Sequence, residues 1–215
     1  MAIAYQESAS LGTDNTGLTW TVSYTVATGT NRILFVGASD VVAASSDITG
    51  ITYGGVSMTK VAQGRAGSDR YSTLWMLVNP ASGANNIVFS RTTSGSYIEA
   101  VAISYSGANQ TSQPDGTAVN QDTSDPNDNT ITTTADNCWH LMLVHRASAG
   151  TLTAGSNTTI RANNSNNTTF FDGNGAITPA GSNTITCSGV ATTVSLGVTF
   201  SPAVTSNPGA FFQMF

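Results

Sequence analysis

Residues 18–26, LTWTVSYTV, alternate strictly between apolar and hydroxyl-bearing side chains. The apolar residues, which share one side of an extended chain, are Leu18, Trp20, Val22, Tyr24 and Val26. A period of two residues over this length predicts a β-strand with one buried and one solvated face. Residues 192–200, TTVSLGVTF, repeat the pattern near the far end of the sequence and predict a second strand of this kind in the same core.

Further strand candidates lie between these two and are separated by turn-forming residues. They are residues 32–38, 51–53, 56–61, 71–78, 86–90, 97–105, 130–134, 138–145, 158–162, 168–171 and 183–187. Short strands at this spacing predict an all-β fold, an antiparallel β-sandwich. About a dozen strands favour a jelly-roll-like topology over an immunoglobulin-like one.

The composition predicts almost no helix. Charged residues make up 9% of the chain, against about 25% in an average soluble domain. A surface helix usually carries charges on its solvated face, whereas threonine and serine suit the exposed face of a strand.

The predicted organisation is a single domain over residues 1–203, followed by an apolar C-terminal tail, residues 204–215. Residues 106–129 and the asparagine-rich residues 161–169 have no sustained period and are predicted to be loops. No internal repeat is evident from the sequence.

The pair Gly54-Gly55 separates two runs of strand-forming residues in ITYGGVSMTKV, residues 51–61. It could bring the backbone close to a phosphate or form a tight turn. A phosphate loop requires a following helix, and none is predicted, so the pair favours a hairpin.

Charge and hydropathy exclude several function classes. Twelve acidic and seven basic side chains give a net charge of −5, and Lys60 is the only lysine, so the clustered cations that bind nucleic acid are missing. The apolar run at 74–78 is too short to cross a bilayer. The first residues lack the pattern of a signal peptide. We therefore expect no nucleic-acid or membrane partner and no export signal.

Catalytic motifs are also missing. His140 and His145 lie five residues apart on one predicted strand and must point to opposite faces. The sequence has no G-x-S-x-G or H-E-x-x-H motif, and Glu7 and Glu99 are its only glutamates. We expect no enzymatic activity, no catalytic residue and no cofactor.

Three smaller features have ordinary structural interpretations. Asp122, Asp125 and Asp128 could offer oxygen ligands to calcium, but turns around Pro126 explain them equally, and we predict no metal site. The cysteines, Cys138 and Cys187, favour buried thiols, with a disulfide as the alternative. The three tryptophans, Trp20, Trp75 and Trp139, are predicted to pack in the core.

The tail carries the candidate contact residues. Phe211, Phe212, Met214 and Phe215 follow a turn-forming Pro-Gly pair, and leaving them in water would expose much apolar surface. They are predicted to dock on their own domain or on a neighbouring subunit. Lysine, which usually protects sheet edges from pairing with other chains, is almost missing. Both features suit a chain whose edges are covered in an assembly.

Five segments occur in an order that resembles a known family. They are LTWTVSYTVATGTNRILFVGAS, ITGITYGGVSMTKV, STLWMLVNPASGANNIVFS, AVAISYSGANQTSQPDGTA and VSLGVTFSPA, within residues 17–203. The order resembles β-sandwich modules of phage and prophage virion proteins and of secreted bacterial surface proteins. The resemblance transfers no catalytic residue, and the missing signal peptide favours the virion branch.

The sequence thus predicts a bacteriophage structural protein, either a capsid decoration (cement) protein or a tail or spike component. It would be made in the bacterial cytoplasm and located in the virion. Its partners would be copies of itself, as a homotrimer for example, and a major capsid or tail protein. The alternative is a carbohydrate-binding or adhesive module that recognises cell-surface glycans.

Overall fold

The structure is a computed structural model that describes residues 1–42, 45–165 and 167–204, and these residues contain strands and no helix. The strands are β1 (Ala4–Asp14), β2 (Thr19–Val26), β3 (Ile33–Val41), β4 (Ile48–Tyr53), β5 (Val56–Ser57), β6 (Thr59–Ala66), β7 (Arg70–Val78), β8 (Gly83–Arg91), β9 (Ile98–Ser106), β10 (Gly116–Asp122), β11 (Asn127–Thr132), β12 (Trp139–Arg146), β13 (Thr153–Ala154), β14 (Thr159–Asn164), β15 (Thr168–Asp172), β16 (Ser182–Ser188) and β17 (Thr193–Phe200). The all-β prediction is confirmed, with 17 strands instead of about a dozen.

The strands form four antiparallel sheets. Sheet I has the order β2-β8-β4-β5, sheet II β1-β9-β3-β7-β6, sheet III β10-β17-β12-β15-β14, and sheet IV β11-β16-β13. Three hydrophobic clusters separate them, one between sheets I and II, one between II and III, and one between III and IV. The sheets therefore stack as four layers, in the order I to IV.

Strand β3 shows why the two middle sheets need continuous apolar runs. Ile33 and Phe35 pack into the cluster between sheets II and III. Leu34 and Val36 point the other way, into the cluster between sheets I and II. Because both faces are buried, the sequence ILFV has no polar position, as is usual for a strand covered on two sides.

The two halves of the chain repeat one topology. In the first half, residues 1–106, the orders are β1-β9-β3-β7-β6 and β2-β8-β4; in the second half, residues 107–204, they are β10-β17-β12-β15-β14 and β11-β16-β13. Strand β5 has no counterpart in the second half; without it, each order becomes the other when strands are matched in chain order. The prediction of no internal repeat was wrong. Its trace in the sequence is the likeness of NPASGANNIVFS at 79–90 to TPAGSNTITCS at 178–188.

The halves face each other through sheets II and III in a two-fold manner. Edge strand β1 contacts β14, and β10 contacts β6. These contacts are equivalent, since β1 matches β10 and β6 matches β14. At Gly37 a Cβ would overlap the Leu143 side chain, so the sheets approach closely there. The chain thus resembles a symmetric dimer fused into one polypeptide.

Two loop predictions were wrong. Residues 106–129 contain β10, and residues 161–169 belong mostly to β14 and β15, with the turn near Ser165. Strand β10 has mostly small or polar side chains, and all of its residues pair with β17. Strand β1 was not predicted at all. In each case the tertiary pairing, and not the local pattern, stabilises the strand.

Gly54 and Gly55 have φ angles of 56° and 80° and join β4 to β5. Both values lie in the left-handed region that a tight hairpin needs, so the hairpin prediction is confirmed. The jelly-roll topology and the single domain over residues 1–203 stay predictions.

Candidate functional site

The predicted contact residues of the tail, Phe211, Phe212, Met214 and Phe215, lie outside the described residues. The described chain ends at Val204, which is 85% exposed. Near this point a groove of about 310 Å³ is lined by Met1, Asn109, Ala135, Asp136 and Ser201 to Val204. The Met1 amino group donates to the Ala203 carbonyl oxygen at 3.0 Å. The role of the tail residues stays a prediction.

His140 and His145 point to opposite faces of β12, as their spacing predicts. His140 Nδ1 lies 2.9 Å from Asn183 Oδ1, and its Nε2 lies 3.2 Å from Asn129 Oδ1, between sheets III and IV. His145 Nε2 lies 3.5 Å from Glu99 Oε1, between sheets II and III. Burial lowers the pKa of His140 to about 4 and that of His145 to about 3. Both rings are therefore neutral near pH 7.

A polar layer surrounds His140. Asn129 Nδ2 donates to Ser195 Oγ at 3.1 Å, and Ser195 Oγ donates to the Asp128 carbonyl at 3.1 Å. A neutral imidazole donates from one nitrogen and accepts at the other, so one of its two asparagine partners must present its amide nitrogen. Such a network stabilises the fold only while every member keeps its partner.

In the first half, apolar residues stand at the positions of His140 and Asn129, whereas Asn85 stands at the position of Asn183. Leu34 and His140 both follow a left-handed asparagine by three residues, and the φ angles of those asparagines are 56° and 64°. Val22 pairs with Ile87 as Asn129 pairs with Ile185. The two buried positions of this layer are thus apolar in the first half and polar in the second. The fold alone does not require the polar layer.

The polar layer reaches solvent in a crevice of about 310 Å³. Its lining includes His140, Asn157, Thr178 and Asn183, together with the glycines of the 173–175 loop. All of the lining side chains are uncharged at neutral pH. The arrangement can hydrogen-bond a neutral polar molecule.

The two outer faces of the stack are almost free of charge. In sheet I only Arg91 is charged, and it is buried and paired with Asp14. In sheet IV only Asp128 is charged. Hydroxyl side chains cover these faces instead, and Thr130 and Thr184 hydrogen-bond across sheet IV at 2.7 Å.

Strand β2 is an edge strand of sheet I without the usual protection. It has eight residues, no charge and no proline, and it pairs with β8 without a register shift. In contrast, β1, β6 and β14 contain register shifts. Natural edge strands usually carry bulges, lysine or proline, which prevent another chain from pairing with them.

The pairing of β2 leaves alternate amides at the open edge. The Arg91 N–H donates to the Leu18 carbonyl, so this pair exchanges hydrogen bonds across the ladder. In an antiparallel ladder such pairs recur at every second residue. The N–H groups of Thr19, Thr21, Ser23 and Thr25 therefore point away from β8.

The aspartates around Pro126 are engaged within the protein. The Gly189 N–H donates to both Asp125 carboxylate oxygens at 3.1 and 3.0 Å, and Asn120 Nδ2 donates to Asp122 at 3.0 Å and to Asp128 at 2.9 Å. Over residues 1–42, 45–165 and 167–204, no group of three or more potential metal-binding side chains is found. These hydrogen bonds favour the turn interpretation over calcium.

The remaining residues follow their predictions. Cys138 and Cys187 are buried and free. Trp75 is buried, Trp20 stacks on Phe89 at 4.6 Å between ring centroids, and Trp139 packs against the central cluster.

Within the part of the chain that the structure describes, no helix is long and apolar enough to cross a membrane.

Comparison with known proteins finds no matching family model, no matching curated protein and no matching solved structure.

The features that sequence reasoning missed are the polar partners of His140 and the open edge of β2. Asn129 is 11 residues from His140 and Asn183 is 43, so no local motif joins them. The uncharged sequence of β2 was a usable signal, but its edge position depends on the strand order.

Proposed function

We propose that this protein is a structural component of a bacteriophage particle, a capsid decoration protein or a tail or spike component. The virion part of this proposal rests on the sequence resemblance, and the observation that carries the assembly role is the open edge of β2, which is uncharged, regular and eight residues long. A strand from another chain can pair with such an edge through backbone hydrogen bonds. The proposed role involves contacts and no catalysis.

The uncharged outer faces support the same proposal. A protein with few surface charges has weak electrostatic repulsion between its copies, which favours association. The partners would be copies of this chain, as a homotrimer for example, and a major capsid or tail protein. Binding to such partners would stabilise the particle by mass action.

Ser23 offers a sharp test, because its N–H points away from β8. Ser23→Pro removes that donor without removing a hydrogen bond to β8, while Ser23→Ala keeps it. Size-exclusion chromatography with light scattering should give a mass above the 22.1 kDa monomer for wild type and Ser23→Ala, and the monomer mass for Ser23→Pro. Monomeric wild type at all concentrations, or equal masses for all three, would contradict assembly through this edge.

The second candidate function is a carbohydrate-binding or adhesive module. The crevice beside His140 favours it, since amides and hydroxyls can hydrogen-bond the hydroxyl groups of a neutral sugar. A glycan array tests this candidate directly. Specific binding that Asn183→Ala abolishes would support it, and the lack of any glycan signal would exclude the module function for the sugars on the array.

A further inference from the structure

The cationic side chains are few enough to be followed individually. The chain has seven, all within the described residues. Arg91 and Arg161 pair with the carboxylates of Asp14 and Asp172. Arg32 donates to backbone carbonyl oxygens, Lys60 donates to a glutamine side chain, and Arg65 lies over a tyrosine ring. Two arginines remain, and they line the same pocket.

Arg70 and Arg146 come from different halves of the chain. Arg70 begins β7 in sheet II, and Arg146 ends β12 in sheet III. With Ala147, Ser148, Ala149 and Asn167 they line a pocket of about 170 Å³ at the end of the central interface. The stacking of sheets II and III therefore brings both guanidinium groups to one place.

Both guanidinium groups have unused donors. Arg146 Nη1 donates to the Ser148 carbonyl oxygen at 3.1 Å, but its Nε is buried without an acceptor. Among residues 1–42, 45–165 and 167–204, the Arg70 side chain has no hydrogen-bond partner, and neither arginine has an ion pair. An arginine without a carboxylate partner is costly when partly buried, and two converging on one pocket repel each other.

The groups behind the pocket leave it positive. Glu99 accepts from Thr168 Oγ1 at 2.7 Å and from Asn167 Nδ2 at 3.2 Å. Burial raises the pKa of Glu99, although Arg70 and Arg146 act in the opposite direction. His145 is buried and neutral. One carboxyl group, used by its own hydrogen bonds, therefore faces two arginines.

We propose that this pocket binds an oxyanion, either a phosphate or a carboxylate group. Guanidinium groups present N–H donors in a planar fork that matches both groups. The Ser148 hydroxyl already accepts from the Thr192 N–H, so its own hydrogen is available to the ligand. The pocket volume of about 170 Å³ can hold one phosphate or carboxylate group but not a ligand made of several linked units. The group belongs to a small ion or to a phosphate- or carboxylate-bearing polymer. The proposal does not depend on the assembly role.

Isothermal titration calorimetry of the full chain with inorganic phosphate and with glucuronate tests the proposal and distinguishes the two chemistries. The variants are Arg70→Gln and Arg146→Gln, and the control is Arg65→Gln, which removes the same charge from the exposed surface of neighbouring β6. Because a hydrogen bond to a charged group contributes about 1.5–3 kcal/mol, each pocket variant should bind about 10- to 150-fold more weakly. The control should change affinity by less than about 2-fold, since solvent and salt screen an exposed charge.

The proposal is supported when either ligand binds saturably, both pocket variants bind it more weakly, and the control still binds it. The ligand that binds more tightly identifies the chemistry. The proposal is overturned when neither ligand binds the wild type, or when the pocket variants bind as well as the control. Arg70→Gln alone decides the outcome should Arg146→Gln fail to fold, because Arg70 has no side-chain hydrogen bond within the described chain. A second readout is the thermal midpoint, which the ligand that binds should raise for the wild type and not for Arg70→Gln.

Discussion

The buried position of His140 should make the protein acid-labile in a way that one substitution isolates. The ring is 1% exposed and lies between Asn129 and Asn183. Its pKa is about 4 in the folded protein against 6.5 in the unfolded chain. Because the folded value is the lower one, the stability linked to neutral His140 is present above about pH 6.5 and is lost as the pH falls towards 4.

The size of the effect follows from the pKa difference. Each pKa unit corresponds to about 1.4 kcal/mol, so the fall from 6.5 to about 4 gives a loss of about 3 kcal/mol. His140→Leu removes this loss, and leucine occupies the equivalent position, Leu34, in the first half. Burial raises the pKa of Asp40 to about 6 and changes stability in the opposite direction over the same window. That change affects both proteins alike, so their difference reports His140.

Urea unfolding at about pH 7 and about pH 4 measures the prediction. At neutral pH the wild type should be the more stable protein, because leucine removes the hydrogen bonds of the imidazole to buried Asn129 and half-buried Asn183. That advantage should shrink by about 3 kcal/mol at the lower pH. An advantage of the same size at both pH values would refute the reasoning, since His140 would then have the same pKa in the folded and unfolded chains.

Three further predictions concern the packing, the tail and the thiols. Gly37→Val should lower the free energy of unfolding, measured in urea, by about 1–3 kcal/mol, because the side chain would overlap the facing sheet. The control Gly175→Ala should have little effect, since no atom lies within 4 Å of its new Cβ. Equal effects of the two substitutions would contradict the close approach of the two sheets. Truncation after Asn207 should lower the mass of the assembly in light scattering, and an unchanged mass would exclude the tail from the contacts. Burial raises the pKa of Cys138 and Cys187 to about 12. Both thiols should therefore resist a thiol-specific reagent in the native protein and react with it in urea. Fast labelling of the native protein would contradict their burial.

The local strands and turns could be predicted because their signals lie within a few residues. The alternation in β2 and the left-handed pair Gly54-Gly55 need no knowledge of distant neighbours. The same two-residue alternation gave a wrong prediction for β17. Its threonine and serine face was expected to be solvated, but the whole strand is buried. Ser195 satisfies its hydroxyl with Asn129 and a backbone carbonyl of sheet IV, which a sequence pattern does not reveal.

The candidate sites depend on the stacking of the sheets. Arg70 and Arg146 are distant in sequence and meet only because sheet II packs on sheet III. The open edge of β2 likewise depends on the strand order of sheet I. What the composition did indicate was the scarcity of lysine and of charge. This scarcity makes the unprotected edge and the two unpaired arginines conspicuous once the fold is known.

Amide hydrogen exchange along β2 tests the assembly proposal most directly. The N–H groups of Thr21 and Ser23 point away from β8 and should exchange quickly in dilute monomer, while those of Val22 and Tyr24 are protected by the ladder. In the assembled state, whether formed at high protein concentration or on the particle, a strand paired at the open edge should protect Thr21 and Ser23 as well. Fast exchange of both amides in the assembled state would contradict assembly through β2.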